Sequence, residues 1–182
     1  MKRPVCALIA VAVAFFATEH NHTDATADGK PSGPSVVDLN GHRFTLPDGF
    51  TIELVAKSPI VARPVAAAFD ERGRLYVTDS AGVNDPVGKQ LEARPHRVLR
   101  LDPAQPDGRV LSGHVFADKV MFPQGVMVRG GACYVAEPPC IRKYTAADDT
   151  GTAGQRETWF DGKTLTGCAN DLHGPYPGPD GW

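Results

Sequence analysis

An internal repeat constrains the fold of this 182-residue chain more strongly than any other feature of its sequence. The segment RPVAAAFDERGRLYVTDS resembles the later segment FPQGVMVRGGACYVAEPP. Gly73 of the first aligns with Gly131 of the second, and Tyr76 aligns with Tyr134, so both pairs are offset by 58 positions (131 − 73 and 134 − 76). The final stretch DLHGPYPGPDGW fits the same frame a third time. A repeat of this length predicts an array of similar supersecondary units.

Each repeated unit is interpreted as a blade of a β-propeller. Short runs of alternating apolar and polar residues are separated by turn residues, and no stretch carries a sustained helical stripe, so the sequence predicts an all-β fold. Four strands fit between one inner strand and the next, which predicts one blade over 64–118 and a second over 123–161. Residues 50–57 are interpreted as an outer strand that closes the ring, and residues 170–182 as the start of another blade.

The predicted architecture is therefore only part of a propeller, occupying residues 46–182. Propellers need about four to eight blades to remove their open sheet edges. Two complete blades, a closing strand and the beginning of a third blade leave such edges unpaired. We expect this chain to be the front part of a larger protein, with the remainder of the propeller missing, and to be poorly soluble when made alone.

The segment that precedes the repeats is predicted to direct export. A basic pair precedes an apolar run over 5–17, and the small-residue motif ATA follows it, so residues 1–27 are interpreted as a signal peptide. An uncleaved signal would tether the protein to a membrane. Residues 28–45 are polar, carry no periodic apolar face and are interpreted as a flexible linker.

Charge and cysteine spacing exclude several function classes. The net charge is −2 and no basic patch with interleaved aromatic residues is present, which excludes nucleic-acid binding. No C-x-x-C, C-x-x-C-H or H-x-x-x-H spacing occurs, so zinc ribbons, c-type haem attachment and zincins are excluded for this stretch. Cys133 and Cys140 are interpreted as small buried hydrophobes on neighbouring strands, with a disulfide between them as the alternative, and Cys168 is left over.

Polar residues near strand ends are candidates for ligand binding, because the loops of a propeller rim one face of the ring. The candidates in the two complete blades are Arg63, Asp79, Asn84, Asp85, Gln124 and Glu137. Asp79 and Glu137 end equivalent second strands, since they too are offset by 58 positions. Their side chains suit a polar substrate or a calcium ion. The alternative is that all six are ordinary loop residues.

Long motifs in the chain resemble a known family. FTLPDGFTIELVAKSPIVARPVAAAFDERGRLYVTDSAGVND, FADKVMFPQGV and WFDGKTLTGCANDLHGPYPGPDGW closely resemble the exported membrane-bound dehydrogenases of planctomycetes and their relatives, also called PVC-type haem-binding proteins. The resemblance covers residues 45–182. It implies a six-bladed propeller similar to the soluble quinoprotein glucose/sorbosone dehydrogenases, followed in full-length relatives by helical repeats and a cytochrome c module.

The resemblance also implies catalytic residues near the end of the chain. In the soluble quinoprotein dehydrogenases a histidine precedes a GPDG-type turn and serves as general base, and His173 precedes such a turn here. An imidazole titrates near neutrality and suits that role. Asn170 and Asp171 would orient His173 and the substrate. The alternative is that these three residues only form turns and tie neighbouring loops together.

Cofactors and function follow from the resemblance alone. No cofactor is assured in this chain and no metal ligands are predicted; PQQ and calcium are implied by the resemblance, and haem c belongs to the C-terminal part of full-length relatives. The sequence therefore predicts a periplasmic or membrane-associated propeller of a quinone-dependent dehydrogenase acting on a small sugar or alcohol, inactive as this piece. The alternative is a non-catalytic propeller that binds carbohydrate or protein.

Overall fold

The computed structural model describes residues 34–102, 112–146, 151–166 and 171–181. These residues fall into two units, with the division between Leu54 and Val55. The predicted signal peptide, together with Cys168, Asn170 and Trp182, lies outside the described residues. None of the helices in the described ranges has the length and hydropathy needed to cross a membrane.

The first unit contains a β-hairpin where a flexible linker was predicted. Strand β1 (Ser35–Leu39) pairs antiparallel with β2 (His42–Leu46). Asn40 and Gly41 both have positive φ, 51° and 79°, as the type I′ turn of a two-residue hairpin requires. The linker prediction over 28–45 is therefore wrong from residue 35 onward. The alternation on either side of the Asn-Gly pair is the local signal for this hairpin.

The second unit opens with a four-stranded antiparallel sheet whose strands follow one another in chain order. Its strands are β3 (Pro64–Phe69), β4 (Leu75–Asp79), β5 (His96–Leu101) and β6 (Gly113–Val120). A short helix, α1 (Val87–Ala93), interrupts the connection between β4 and β5. The sequence does not predict this helix, because seven residues are too few to show a helical stripe.

A second sheet of the same design follows. Its strands, again in chain order, are β7 (Gly125–Arg129), β8 (Ala132–Glu137), β9 (Cys140–Ala146) and β10 (Ala153–Asp161). The two sheets share no strand, so they form two separate blades. The predicted fold class is confirmed: the chain is all-β and has the two four-stranded blades of a partial propeller. Six as the number of blades in the complete ring stays a prediction from the resemblance.

The two blades pack face to face through one hydrophobic cluster. Its buried side chains come from both sheets: Tyr76, Val98, Phe116 and Val120 from the first blade, and Val126, Cys133, Val135 and Tyr144 from the second. The Phe116 ring bridges the blades, with its centroid 5.0 Å from that of Tyr76 and 6.3 Å from that of Tyr144, both edge-on. Edge-on aromatic pairs contribute about 0.5–1.5 kcal/mol beyond the area that they bury.

The opposite face of the first blade is covered by the segment that precedes it. Val61, Val77, Leu99 and Leu101 are buried there, and Val55, Ala56 and Ile60 pack against them. Residues 51–57 form no strand within the described part of this chain. The closing outer strand predicted over 50–57 would pair with the last blade of the complete ring, so it stays a prediction. Val55, Ala56 and Ile60 stabilise the blade by burying apolar surface on its face.

The described end of the chain lies against the start of the second blade. Residues 172–178 form no strand. Gly174 is buried, with a φ of 84°, and a Cβ placed on Gly125 would overlap the carbonyl oxygen of Gly174. Gly125 therefore permits the backbone of residues 173–175 to lie directly against the first residue of β7.

We expect Gly125→Ala to loosen the segment that carries His173. The added methyl group overlaps main-chain atoms that have no rotamer by which to move aside, so the free energy of unfolding should fall by about 1–3 kcal/mol. Denaturant unfolding and proteolysis near residue 173 measure the effect.

Gly88→Ala is the matched control, because a Cβ on Gly88 meets nothing within 4 Å and the residue lies in α1. Its stability should be unchanged or slightly higher. Equal stability of the Gly125 and Gly88 variants would contradict the close approach of Gly125 and Gly174.

Candidate functional site

Five of the sequence-predicted residues lie at one edge of the two blades or on the segment packed against it. Register pairs Pro64 with Asp79 in the first blade and Gly125 with Ala136 in the second, so the starts of β3 and β7 lie beside the ends of β4 and β8. We call this the loop edge; it carries Arg63, Asp79, Gln124 and Glu137, and Gly174 brings His173 next to it.

Asp79 is buried and holds the loop edge of the first blade together. Its Oδ1 accepts hydrogen bonds from the backbone N–H groups of Ala62 (3.1 Å) and Arg63 (2.6 Å). Its Oδ2 accepts two from Arg97, at 3.0 Å from Nε and 2.8 Å from Nη2. A carboxylate has about four acceptor positions, and all four are filled here. Asp79 therefore anchors β3 to β4 and β5 and has no acceptor left for a ligand.

Glu137 performs the same task in the second blade. Its Oε2 accepts two hydrogen bonds, from the backbone N–H of Met121 (3.0 Å) and from the guanidinium of Arg156. Its Oε1 accepts a hydrogen bond from the hydroxyl of Tyr144. Met121 stands 58 positions after Arg63, so the repeated carboxylate binds the equivalent backbone donor in both blades. The Arg156 guanidinium also lies 5.5 Å from the centre of the Tyr144 ring. Burial and the nearby Glu137 charge raise the pKa of the Tyr144 hydroxyl, which keeps it a donor.

The loop after Asp79 is held by a buried histidine, His96, which is not among the sequence-predicted site residues. Nδ1 of His96 accepts a hydrogen bond from the backbone N–H of Ala81 (3.1 Å), and Nε2 donates one to Oε1 of Gln90 (3.1 Å). The amide nitrogen of Gln90 in turn donates to the backbone oxygen of Asp85 (2.6 Å). Burial lowers the pKa of His96, so the neutral ring that this pattern requires is favoured. The sequence signal for this structural role was a histidine at the start of an apolar strand, next to a long loop.

The candidates within that loop differ in their surroundings. Asn84 is exposed, and Asp85 is half-buried and pairs with Lys89 across 3.0 Å. Exposed pairs of this kind contribute little to stability. Both residues sit on a loop whose position depends on His96, so neither is fixed directly by a strand.

Arg63 and Gln124 retain polar groups that are available to a ligand. The Arg63 side chain is exposed, and its guanidinium lies against the backbone of Gly82. Within the described part of the chain it forms no ion pair, and the Gln124 side chain forms no hydrogen bond. The backbone N–H of Gln124 donates to the oxygen of Ala136 (2.9 Å), which fixes its position at the loop edge.

His173 presents an exposed imidazole beside the start of β7. Its neighbour Asp171 is half-buried, and Oδ1 of Asp171 accepts hydrogen bonds from the backbone N–H (3.0 Å) and the hydroxyl (2.7 Å) of Thr166. Asp171 therefore shapes the turn that delivers His173. An exposed imidazole and an unpaired guanidinium at one edge are suited to taking a proton and to holding an anionic group.

The cysteines and potential metal ligands do not form a further centre in the described ranges. Cys133 and Cys140 are both buried and free, which confirms the buried-hydrophobe interpretation and excludes the disulfide alternative. Burial raises the pKa of both thiols, so neither is a reactive thiolate. No group of three or more His, Cys, Asp or Glu side chains is positioned to hold a metal ion within the residues described.

We expect Asp79→Asn to destabilise the first blade. The substitution removes the negative charge that faces Arg97. The new side-chain amide has one acceptor oxygen and cannot accept all four hydrogen bonds, so the free energy of unfolding should fall by about 2–4 kcal/mol. Urea unfolding measures the loss. Asp85→Asn is the matched control, with an expected change within about 0.5 kcal/mol. Similar values for the two variants would show that Asp79 is not an anchor.

We also expect the free energy of unfolding to fall as the pH is lowered past about 6.5, the pKa of a histidine in the unfolded chain. His96 has a lowered pKa in the folded state, so below pH ~6.5 the unfolded state binds a proton that the folded state does not. The free energy of unfolding should therefore fall from pH 7 to pH 5. His96→Asn keeps an acceptor for the N–H of Ala81 but does not titrate, so it should reduce this pH dependence. His42→Asn, at an exposed histidine, is the control and should leave the pH dependence unchanged. The same pH dependence in His96→Asn as in the unmodified chain would show that His96 is not its source.

Comparisons with known proteins match this chain at the level of a family. It is similar to the iodide structure of Trichoderma reesei Carbohydrate-Active Enzymes Family AA12, with 20% identity and a TM-score of 0.44 over 74% of this chain and 29% of that chain. This chain thus spans less than a third of that neighbour's length. No curated protein matches it. The model of the family described as Domain of unknown function (DUF7133) matches residues 38–182, which include both blades, and the chain belongs to that family.

Proposed function

We propose that this chain forms the first blades of an exported, quinone-dependent dehydrogenase that oxidises a small sugar or alcohol, with His173 as its general base. The observation that carries the proposal is the exposed imidazole of His173 at the loop edge, where the Gly174 backbone lies against Gly125. The resemblance of the motifs around His173 to quinoprotein dehydrogenases supplies the reaction class.

The proposed reaction needs a base beside the substrate hydroxyl. His173 would take the proton of the substrate hydroxyl while a hydride leaves the carbon that bears this hydroxyl and passes to the quinone. A histidine serves this step well because its imidazole accepts and releases a proton near neutral pH. Asp171, through its two hydrogen bonds to Thr166, would keep the base oriented, and Asn170 would assist.

The residues present fit a carboxylate-bearing quinone better than they fit calcium. PQQ carries carboxylates, and Arg63 offers an exposed guanidinium that no described acid neutralises. When bound, the quinone would supply the two-electron acceptor. The buried carboxylates at the same edge, Asp79 and Glu137, have their oxygens occupied by protein donors, so this part of the chain gives calcium no ligand set.

A non-catalytic propeller is the second candidate. Both buried carboxylates at the loop edge are hydrogen-bonded to other groups of the protein. The other polar side chains there, Arg63, Gln124 and His173, suit hydrogen bonding to a carbohydrate or to an acidic protein segment. Export to the periplasm or to a membrane surface through the predicted signal over 1–27 applies to both candidates.

We expect the protein that carries this chain with the rest of its propeller to reduce an electron-accepting dye when given PQQ, calcium and a panel of sugars and polyols. His173→Ala should lower kcat by about two to four orders of magnitude. Arg63→Gln should raise the PQQ concentration required for half-maximal activity and leave kcat at saturation unchanged, because Arg63 holds the cofactor and takes no part in the proton transfer.

His42→Ala is the matched control, since His42 is an exposed histidine of the hairpin in the other unit, and its kcat should equal that of the unmodified protein. Unchanged turnover in His173→Ala would overturn the base assignment. Binding of a sugar without dye reduction under any condition would favour the non-catalytic propeller.

A further inference from the structure

We propose a second ligand site, a cleft between the two blades that binds an uncharged polyol about the size of a monosaccharide. It lies at the edge opposite the loop edge, where tight turns join β3 to β4 and β7 to β8, and we call this the turn edge. The site does not depend on the proposed dehydrogenase function, because it shares no residue with the loop edge.

The cleft has the dimensions of a small-molecule site. Its volume is about 380 Å³, toward the lower end of the roughly 300–1,000 Å³ found for ligand pockets, which suits one sugar ring. Its apolar wall is formed by both blades, with Tyr76 and Phe116 from the first and Val128, Ala132 and Cys133 from the second. A ligand there would contact both sheets at once and would stabilise the contact between them.

Tyr76 supplies a hydroxyl at the cleft that the described part of the protein leaves without a partner. The residue is only 3% exposed, yet it lines the cleft. Its ring packs edge-on against Phe116, and its hydroxyl forms no hydrogen bond with any described residue. Burial raises the pKa of the Tyr76 hydroxyl, which therefore stays protonated and able to donate. A hydroxyl that faces a cleft and has no protein partner can bind a ligand group that offers both an acceptor and a donor, as a sugar hydroxyl does.

Charges at the rim of the cleft balance, which favours an uncharged ligand. Two acids, Asp70 and Glu71, and two arginines, Arg72 and Arg74, line it. Asp70 is occupied by the backbone N–H groups of Arg72 and Arg74 (both 2.9 Å) and by Nε of Arg74 (2.6 Å). The terminal nitrogens of Arg74 form no hydrogen bond to a described residue, so they can donate to ligand hydroxyls. An anionic ligand would gain little net attraction from a rim that carries equal numbers of acids and arginines.

The two turns that frame the cleft are tied together. Oε1 of Glu71 accepts a hydrogen bond from the backbone N–H of Gly130 (2.7 Å), which joins the turn of one blade to the turn of the next. This contact fixes the width of the opening and pre-organises the cleft before a ligand arrives.

Cys133 reports occupancy of the cleft because it lines the cleft and is only 2% exposed. Its thiol is therefore modified only when the two blades open locally, and a ligand that holds the blades together slows that step. The full chain is treated with a small thiol-alkylating reagent, and modification of Cys133 and Cys140 is quantified by peptide mass spectrometry. We expect D-glucose and myo-inositol at about 10–100 mM, the range of weak single-ring ligands, to slow modification of Cys133 several-fold. Modification of Cys140, at the loop edge, should be unaffected, and D-gluconate, a carboxylate of the same size, should protect Cys133 poorly.

Two variants and one control separate binding from stability. Tyr76→Phe keeps the ring packing and removes the hydroxyl, so the polyol concentration for half-protection should rise about tenfold. Val128→Phe narrows the cleft and should abolish protection. Tyr134→Phe is the matched control, because Tyr134 is the repeat equivalent of Tyr76 but packs against Trp159 outside the cleft, and it should protect as the unmodified chain does.

Three results would overturn the proposal. The first is that neither polyol protects Cys133. The second is that D-gluconate protects Cys133 better than D-glucose does, which would assign an anion to the cleft. The third is that Tyr76→Phe and Tyr134→Phe weaken protection equally, which would mean that protection reflects general stabilisation of the chain.

Discussion

The structure depends on one repeated interaction, a buried carboxylate at the end of the second strand that binds the backbone just before the inner strand. Asp79 binds the N–H of Arg63 and Glu137 binds the N–H of Met121, with 16 positions between partners in each case. An arginine from another strand of the same blade neutralises each carboxylate, Arg97 in the first and Arg156 in the second. The interaction closes the end of each blade and determines where its inner strand begins, so it also sets the geometry of the loop edge.

This anchoring decides which residues remain for chemistry. Acidic residues at strand ends are the usual candidates for ligand binding. Here Asp79 accepts four hydrogen bonds from the protein and Glu137 accepts three, so both carboxylates stabilise the fold. Arg63 and Gln124 also lie at the loop edge, and their side chains form no ion pair or hydrogen bond within the described residues. The exposed imidazole of His173 lies next to them. A site built from these groups favours anionic or hydroxyl-bearing ligands and provides one group, an imidazole, that can move a proton.

The two blades could be predicted from the sequence because the patterns that specify them are local. Apolar and polar residues alternate within the strands, and the repeat places Gly73 and Gly131, with φ values of 76° and 74°, in equivalent turns. Prediction from the sequence failed where the outcome depends on a distant partner. The alternation over 50–57, for example, does not show that Val55 and Ala56 pack on the face of a blade. The occupation of Asp79 depends on Arg97, 18 positions away, so no local motif distinguishes an anchoring carboxylate from a ligand-binding one.

Equivalence in the repeat does not imply equivalence in function, since each residue of a blade faces a different neighbour. Tyr76 and Tyr134 align in sequence, but Tyr76 faces the second blade and a cleft, whereas Tyr134 lies edge-on to Trp159 at a centroid distance of 5.1 Å. The backbone positions are dictated by the repeat and are shared. The side-chain environments are dictated by what lies between one blade and the next, and binding clefts at these junctions therefore have to be identified from packing, because the repeat pattern carries no record of them.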